Sequence, residues 1–413
     1  MGGEWEYVSL GEVSVNHDAV RVPVKESERK PGPFPYYGAS GVVDHVDSYL
    51  FDGEYLLVAE DGENLRTRQT PLAFIARGRF WVNNHAHILQ GSSRALTRFL
   101  HYALAAGDIA PYLTGAVMPK LTQANLNRIP ILLPPMREQE RIVDLLAALD
   151  DKIELNRRIT ETLEATTLAL FKSWFVDFDP VRAKAEGRPT GLPDEMAALF
   201  PHQLGEDGLP VGWQMTPISE LFEVVGGNTP RTDTDSYWGG PHEWATPKDL
   251  SNLDTPILLR TERTLSDAGL SQSNSGLVPR GSLLLSTRAP IGYMAFADQP
   301  TAINQGLAGL APKELSAAYA WGWCIANLDN IKANAGGSTF PEISKSTLRN
   351  LAMLAPSQRV AKAFATIADA LVARIANTAR EASALASLRD ALLPRVISGE
   401  LRIDAAGSRI VAA

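Results

Sequence analysis

The sequence predicts an α+β protein with a pseudo-two-fold internal repeat: two similar α/β domains joined by two long antiparallel helices, paired within the chain as an intramolecular coiled coil. Three observations predict it. Residues 136–174 contain no proline or glycine, and Ile142, Leu146, Leu149, Ile153, Asn156, Thr160, Leu163, Thr167, Leu170 and Trp174 recur at alternating four- and three-residue steps. That is a heptad seam, apolar at its ends and polar in its middle, on a helix roughly 60 Å long that needs a partner. A shift of 222 residues carries Ile142, Leu145, Leu149, Ile153, Leu163 and Leu170 onto Phe364, Ile367, Leu371, Ile375, Leu385 and Leu392. The same shift carries Gly115, Pro119, Leu126, Leu132, Pro134 and Arg137 onto Gly337, Pro341, Leu348, Leu354, Pro356 and Arg359, so each long helix is entered by the same phrase.

Residues 1–134 are expected to form the first domain. Trp5, Val8 and Leu10 enter it through a short strand or helical turn, and residues 31–35 (PGPFP) read as a turn-rich loop. Short β-prone runs follow over 36–53, then a buried strand at 54–59, closed by a turn at 60–62. Residues 72–76, 81–82 and 85–89 continue the β pattern. Leu96, Phe99, Leu100, Ala103 and Leu104 keep a helical period within 92–106. Thr122 is placed to cap a short helix through Leu126, and Pro134 and Pro135 end the domain.

The first spacer helix is assigned to 135–175. Residues 176–210, with prolines at 180, 189, 193, 201 and 210, read as a semi-rigid connector carrying a short helix over 194–200. The second domain spans 211–355. Its residues 281–287 echo 53–59, Ile303-Asn304-Gln305 echo Asn83-Asn84-His85, and 316–328 echo the helix at 92. The second spacer helix, 356–400, closes the repeat, and the tail 401–413 is expected to fray. Antiparallel pairing would bring the chain back to its first domain as a dumbbell. It would also set Asn156 and Thr160 against Arg374 and Thr378, a polar pin for the register.

The net charge of −8 argues against coating nucleic acid by bulk electrostatics and leaves only local basic faces for that role. A single cysteine, Cys324, excludes an internal disulfide and suits a reducing, cytoplasmic setting. No apolar run is long enough to span a bilayer, so no membrane partner is expected. The phosphate-binding loops of nucleotide hydrolases and dinucleotide enzymes are absent. His85-Ala86-His87 would place two imidazoles on one strand face. A polar face or DNA contact is expected there rather than a metal. Glu60-Asp61 reads as a turn and Asp150-Asp151 as a solvated helix face, so no catalytic constellation emerges.

Specific phrases go further. They are residues 36–62, NNHAHIL (83–89), PKLTQANLNRIPILLPP (119–135) and the run 162–188 in the first half. In the second half they are GNTPRTDTDSYWGG (227–240), WATPKDLS (244–251), STRAPIG (286–292), INQG (303–306), GGSTFPEISKSTL (336–348) and LRDALLPRVISGEL (388–401). Together they resemble the specificity subunit of type I restriction–modification systems over nearly the whole chain. The resemblance implies two target-recognition domains, each reading one half of a bipartite, asymmetric sequence in double-stranded DNA, and paired helices that set the spacer. It implies no catalysis by this chain and no cofactor bound to it. Two adenine methyltransferase subunits and further restriction/translocase subunits would be its partners, with S-adenosylmethionine, ATP and Mg on those subunits. One departure stands out: the second helix entry, Leu354-Ala-Pro-Ser-Gln-Arg-Val, is weaker than the Pro-Pro-Met-Arg-Glu-Gln-Glu of the first. The alternative is a non-enzymatic coiled-coil tether with two protein-binding heads.

Recognition residues vary with the target, so they are sought in the non-repeating segments. Bases are read by bidentate Arg, Asn or Gln. The candidates are Arg66, Arg68, Arg77 and Arg79 in the first domain, flanking a loop expected between strands. In the second they are Thr229, Arg231, Thr232, Lys248, Arg260, Arg263 and Arg288. Tyr36, Tyr37, Tyr237 and Trp238 are aromatic candidates for which core packing is the expected role.

Overall fold

Two helices of 40 residues each, Met136–Phe175 and Gln358–Ile397, organise the computed structural model. It describes residues 5–273, 276–288, 290–337, 341–403 and the backbone of 410–412. Parts of the 286–292 and 336–348 phrases, and most of the tail beyond 403, therefore lie outside the described residues. The chain divides into two units, Met1–Lys152 with Leu385–Ala413, and Ile153–Ala384. Each unit takes part of both long helices.

Within each unit the two helices run antiparallel. In the first, Arg389 donates to Asp150 (2.9 Å), which also accepts from the Tyr102 hydroxyl (2.6 Å). Ile142, Leu146, Val396 and Ile397 share one core there. In the second, Asn156 Nδ2 donates to Glu381 (3.1 Å), and the rings of Phe171, Trp174 and Phe175 pack on Phe364. The seam spacing holds: Ile142, Leu146, Asn156, Thr160, Thr167 and Trp174 are buried. The polar pin differs from expectation. Arg374 is exposed and Thr378 donates to its carbonyl, so the partner of Asn156 is Glu381.

In the first unit, β1 (Glu6–Ser9) will pair at the mouth of the first long helix. The main strands are β2 (Ser14–Asn16), β3 (Pro31–Gly38), β4 (Gly41–Val46), β5 (Phe51–Ala59), β6 (Ala73–Val82) and β7 (Ala86–Gly91). They form a six-stranded sheet in the order β2-β7-β5-β6-β3-β4. Strand β1 pairs antiparallel with β8 (Pro130–Leu133), which leads into the long helix. The helix Thr97–Ala106 buries Phe99, Leu100, Ala103 and Leu104 against this sheet, and Thr122 caps Gln123–Asn127 by accepting from the Asn125 amide.

Two expectations fail here. The PGPFP run is the start of β3, not a loop; proline φ suits extended backbone, and a register shift between Pro31 and Phe34 absorbs the missing donors. Arg77 and Arg79, expected to flank a loop between strands, instead lie within β6, which runs unbroken from Ala73 to Val82. Within the β5–β6 pair Gly78 (φ +73°) lies directly opposite Gly53 (φ +138°), conformations closed to most other residues.

The second unit repeats the plan. Its strands are β9 (Gln214–Pro217), β10 (Phe222–Gly226), β11 (Trp238–Ala245), β12 (Ile257–Leu258), β13 (Arg263–Leu265), β14 (Leu283–Ser286), β15 (Met294–Ala297), β16 (Thr301–Ile303), β17 (Leu307–Pro312) and β18 (Ala352–Ala355). The order β10-β17-β14-β15 matches β2-β7-β5-β6, and β9-β18 matches β1-β8. The long β6 corresponds to two strands here, β15 and β16, and β16 runs parallel to β11 as β6 does to β3. One sequence echo moves by a residue. The amides of Asn83 and Asn304 each donate to the neighbouring strand (Tyr37 O and Ala245 O, both 2.9 Å), and both side chains accept from the amide two residues on. Asn304, not Ile303, is therefore the counterpart of Asn83.

The 176–210 segment, read from the sequence as a semi-rigid connector, is packed against the rest of the second unit. It forms helices Asp179–Ala185 and Asp194–Ala197, buries Val181 and Phe200 beside Trp174 and Trp213, and Lys184 Nζ donates to the carbonyls of Ala197 (3.0 Å) and Phe200 (2.6 Å). Nor does the tail fray at its start: Leu401–Ile403 pairs antiparallel with Ile410–Ala412.

Candidate nucleic-acid interface

In the second unit the candidate side chains gather around strand ends. Strand β11 stops at Ala245, and Thr246 opens the helix Pro247–Ser251 through a capping box with Asp249 (2.8 and 2.6 Å). That helix carries Lys248, paired with Glu262 (2.7 Å). Glu243, on β11, is only 5% exposed. It accepts from the Thr261 amide (2.7 Å), the Thr261 hydroxyl (2.5 Å), Gln299 (2.9 Å) and Arg260 (3.3 Å). A buried carboxylate saturated in this way fixes the 259–263 segment and presents Arg260 outward, its side chain 83% exposed.

Two indoles fasten the other side. Trp244 Nε1 donates to Asn228 O and Trp238 Nε1 to Arg231 O (3.2 Å each), which ties the 227–234 loop down on the sheet. Arg263 lies 3.4 Å over the Trp238 ring, and Trp238 packs edge-on against Trp244. At Gly227 a Cβ would sit 2.0 Å from Ile303 O, so only glycine lets the loop approach so closely. Thr229 then reaches Gln305, whose carbonyl also accepts from Lys345. Burial drives the Lys345 ammonium below its ordinary pKa, Glu342 opposes this, and Arg288 adds to it. Arg288 pairs with Glu342 at 3.7 Å. Thr229, Arg231, Lys248, Arg260, Arg263 and Arg288 thus belong to one connected network, with Thr232 exposed beside Arg231. Asn228, Gln305 and Lys345, absent from the sequence-based set, join it; each lies inside a phrase that carried the family resemblance, 227–240, 303–306 and 336–348 respectively.

The first-unit candidates do not converge. Arg66 donates to Gly115 O (2.9 Å), while Arg68, itself left-handed at φ +48°, donates to the carbonyls of Ala105 (3.3 Å) and Gly107 (2.7 Å). Arg77 and Arg79 share one strand face, each opposite a carboxylate on β5, Glu54 and Asp52 (3.1 Å each). Tyr36 is buried, with its hydroxyl on the Val24 backbone, and Tyr37 packs on Phe74 and Phe80. The two histidines have separate roles. His87 is buried between Asp18 (2.5 Å) and Leu121 O (2.7 Å), and the exposed His85 holds Asp61 (2.9 Å). Beside them burial pushes the Glu60 carboxyl up, but Arg21, His87 and Lys120 outweigh it and hold it below the usual carboxylate range. Among the described residues no three His, Cys, Asp or Glu side chains are grouped to hold a metal.

The comparisons agree with this architecture. The family model described as "Type I restriction modification DNA specificity domain" matches residues 2–165 and 210–385, one match for each repeat. The HindI specificity subunit of Haemophilus influenzae is 25% identical over 356 residues, 75% of this chain and 74% of that protein. The MjaIX specificity subunit of Methanocaldococcus jannaschii is 36% identical over 162 residues, 38% of each chain. The crystal structure of a type I restriction–modification S subunit from M. genitalium shares the fold, with TM-score 0.64 and 13% identity over 95% of this chain and 96% of that one. The chain belongs to the type I restriction–modification DNA specificity family. It is the DNA specificity subunit of such a system, a non-catalytic component that acts with DNA and with modification and restriction subunits. No helix among the described residues is long and apolar enough to cross a membrane.

Proposed function

We propose that each unit reads one half of a bipartite, asymmetric target in double-stranded DNA, and that the two long helices set the spacer between the halves. The observation that carries this reading is the second-unit network. Six candidate side chains, drawn from four separate stretches, meet there around the ends of β11 and β16. Arg263, Arg260 and Thr229 are assigned to base edges, and Arg231, Thr232, Lys248 and Arg288 to phosphates. Their carboxylate partners are mostly exposed, and exposed ion pairs contribute only about 0–1 kcal/mol. Exchanging a carboxylate for a phosphate therefore costs little. In the first unit Arg77 and Arg79 are exposed enough to do the same, whereas Arg66 and Arg68 hold loops through backbone carbonyls. Two methyltransferase subunits and the restriction/translocase subunits assemble on this chain and bring S-adenosylmethionine, ATP and Mg with them. Localisation is cytoplasmic, alongside the DNA.

The test is genome-wide adenine-methylation mapping with and without this gene. One bipartite motif should vanish with it. Exchanging residues 211–355 for those of another family member should alter one half-site and leave the other intact. An unchanged methylome, or two altered halves, would refute the reading.

A further inference from the structure

The largest apolar exposure in the first unit is a loop tip. Val117 is 94% exposed and Met118 64% exposed. The loop is built to hold them out. Thr114 and Lys120 exchange both backbone hydrogen bonds (2.8 Å each) across its base. Gly115 sits at φ +88°, where a Cβ would lie 2.1 Å from Met118 O. Arg66 donates to the Gly115 carbonyl (2.9 Å), and the Pro119 carbonyl accepts from the Gly62 amide (3.2 Å). Among the described residues neither side chain belongs to the unit's hydrophobic clusters, so the loop displays apolar surface to solvent.

Internal symmetry says which side this is. In the second unit the corresponding backbone pair is Gly336 with Glu342 (2.9 Å both ways), and Glu342 pairs with Arg288. That loop base stands beside Lys345, Gln305 and Thr229, inside the basic network assigned above to DNA. The Val117–Met118 tip therefore rises from the equivalent side of the first unit. Cations flank it: the side chains of Arg66 and Lys120 are 43% and 51% exposed.

We propose, resting on the DNA-specificity reading above, that Val117 and Met118 form an apolar wedge that enters the first half-site and partly unstacks one base step. Two side chains are too few for a protein interface, which needs on the order of 1,000 Å². A wedge needs only one or two apolar side chains backed by cations, and Met is a side chain used in this way. The wedge also gives the first unit a reading element that its arginines, engaged with backbone and carboxylates, do not supply.

The experiment uses the assembled complex with its methyltransferase subunits and duplexes of the mapped target. 2-Aminopurine is placed in turn at positions of the first half-site other than the modified adenine. The wild-type complex should raise fluorescence at one step. Val117→Ser with Met118→Ser should abolish that rise and weaken specific binding about tenfold, with non-specific binding unchanged. Val117→Leu with Met118→Leu should keep both. No responsive step, or full fluorescence and affinity in the serine variant, overturns the wedge. So does failure of the serine variant to assemble with methyltransferase in the absence of DNA, which would make the tip a protein contact. A wild-type complex with no sequence preference at all would instead overturn the underlying specificity reading, and the wedge with it.

Discussion

Arg263 and Arg231 lie within one loop network but predict different losses. The Arg263 guanidinium is oriented by the Trp238 ring at 3.4 Å, a rigid presentation suited to a bidentate base contact. Arg263→Ala should cost about 1–3 kcal/mol on the cognate duplex and relax one position of the second half-site. Arg231 is paired with the exposed Asp233 at 3.6 Å and suits a phosphate. Arg231→Ala should weaken all sequences alike and reduce the salt slope by about 0.9. Competition binding across a salt series separates the two; full discrimination in the Arg263 variant would remove it from base readout. Glu164, on the first long helix, makes a separate prediction. Burial, then the neighbouring Glu161, push its carboxyl up to about 7 from an ordinary 4.5. The folded state thus holds a proton that the unfolded state has released between those values. Stability must therefore fall as pH rises from about 4.5 through about 7, and stay reduced above. Glu164 is partly solvated, so the penalty is discounted to on the order of 1 kcal/mol. Glu164→Gln should raise the thermal midpoint at pH 8 and leave it unchanged near pH 4; equal gains at both pH values would contradict the assignment.

Among the elements, the long helices were the most legible. A heptad seam is a local pattern, and the helices Met136–Phe175 and Gln358–Ile397 lie inside the expected stretches 135–175 and 356–400, ending within three residues of their bounds. What the pattern could not show was set by distant partners. The ion pairs of Arg77 and Arg79 depend on carboxylates of β5, and the continuity of β6 depends on Gly53 facing Gly78 from another strand. The connector read as semi-rigid because prolines punctuate it, but where its few apolar residues dock, in an aromatic cluster whose members come from residues 171–364, depends on those distant partners. Gly322 belongs to that packing. It lies on the helix Ala317–Ala326, and a Cβ there would meet the Phe171 ring at 2.3 Å. Intrinsic propensity favours alanine in a helix by about 1 kcal/mol. The atoms met are the base of a buried ring, which cannot swing aside, and overpacking costs about 1–3 kcal/mol. Packing should win: Gly322→Ala is expected to lower the thermal midpoint, and a stabilised variant would show that Phe171 has room to move.

At the scale of the whole molecule, the test of the spacer role depends on register. Asp150 meets Arg389 in one unit, and Asn156 meets Glu381 in the other. The stretch between Asp151 and Lys152 therefore faces the stretch between Ser387 and Leu388. One heptad inserted at each point lengthens both helices together and preserves every flanking pair. Seven residues turn a helix by nearly two full turns, so the seam keeps its facing. They add about 10 Å, which corresponds to about three base pairs of duplex at 3.4 Å each. The mapped methylation motif should then keep both half-sites and gain about three base pairs between them. Insertion into one helix alone breaks the Asn156–Glu381 pairing and should destabilise the protein without producing a new motif. A folded double-insertion variant that still methylates the original spacing would show that the helices hold the units together without measuring the distance between half-sites.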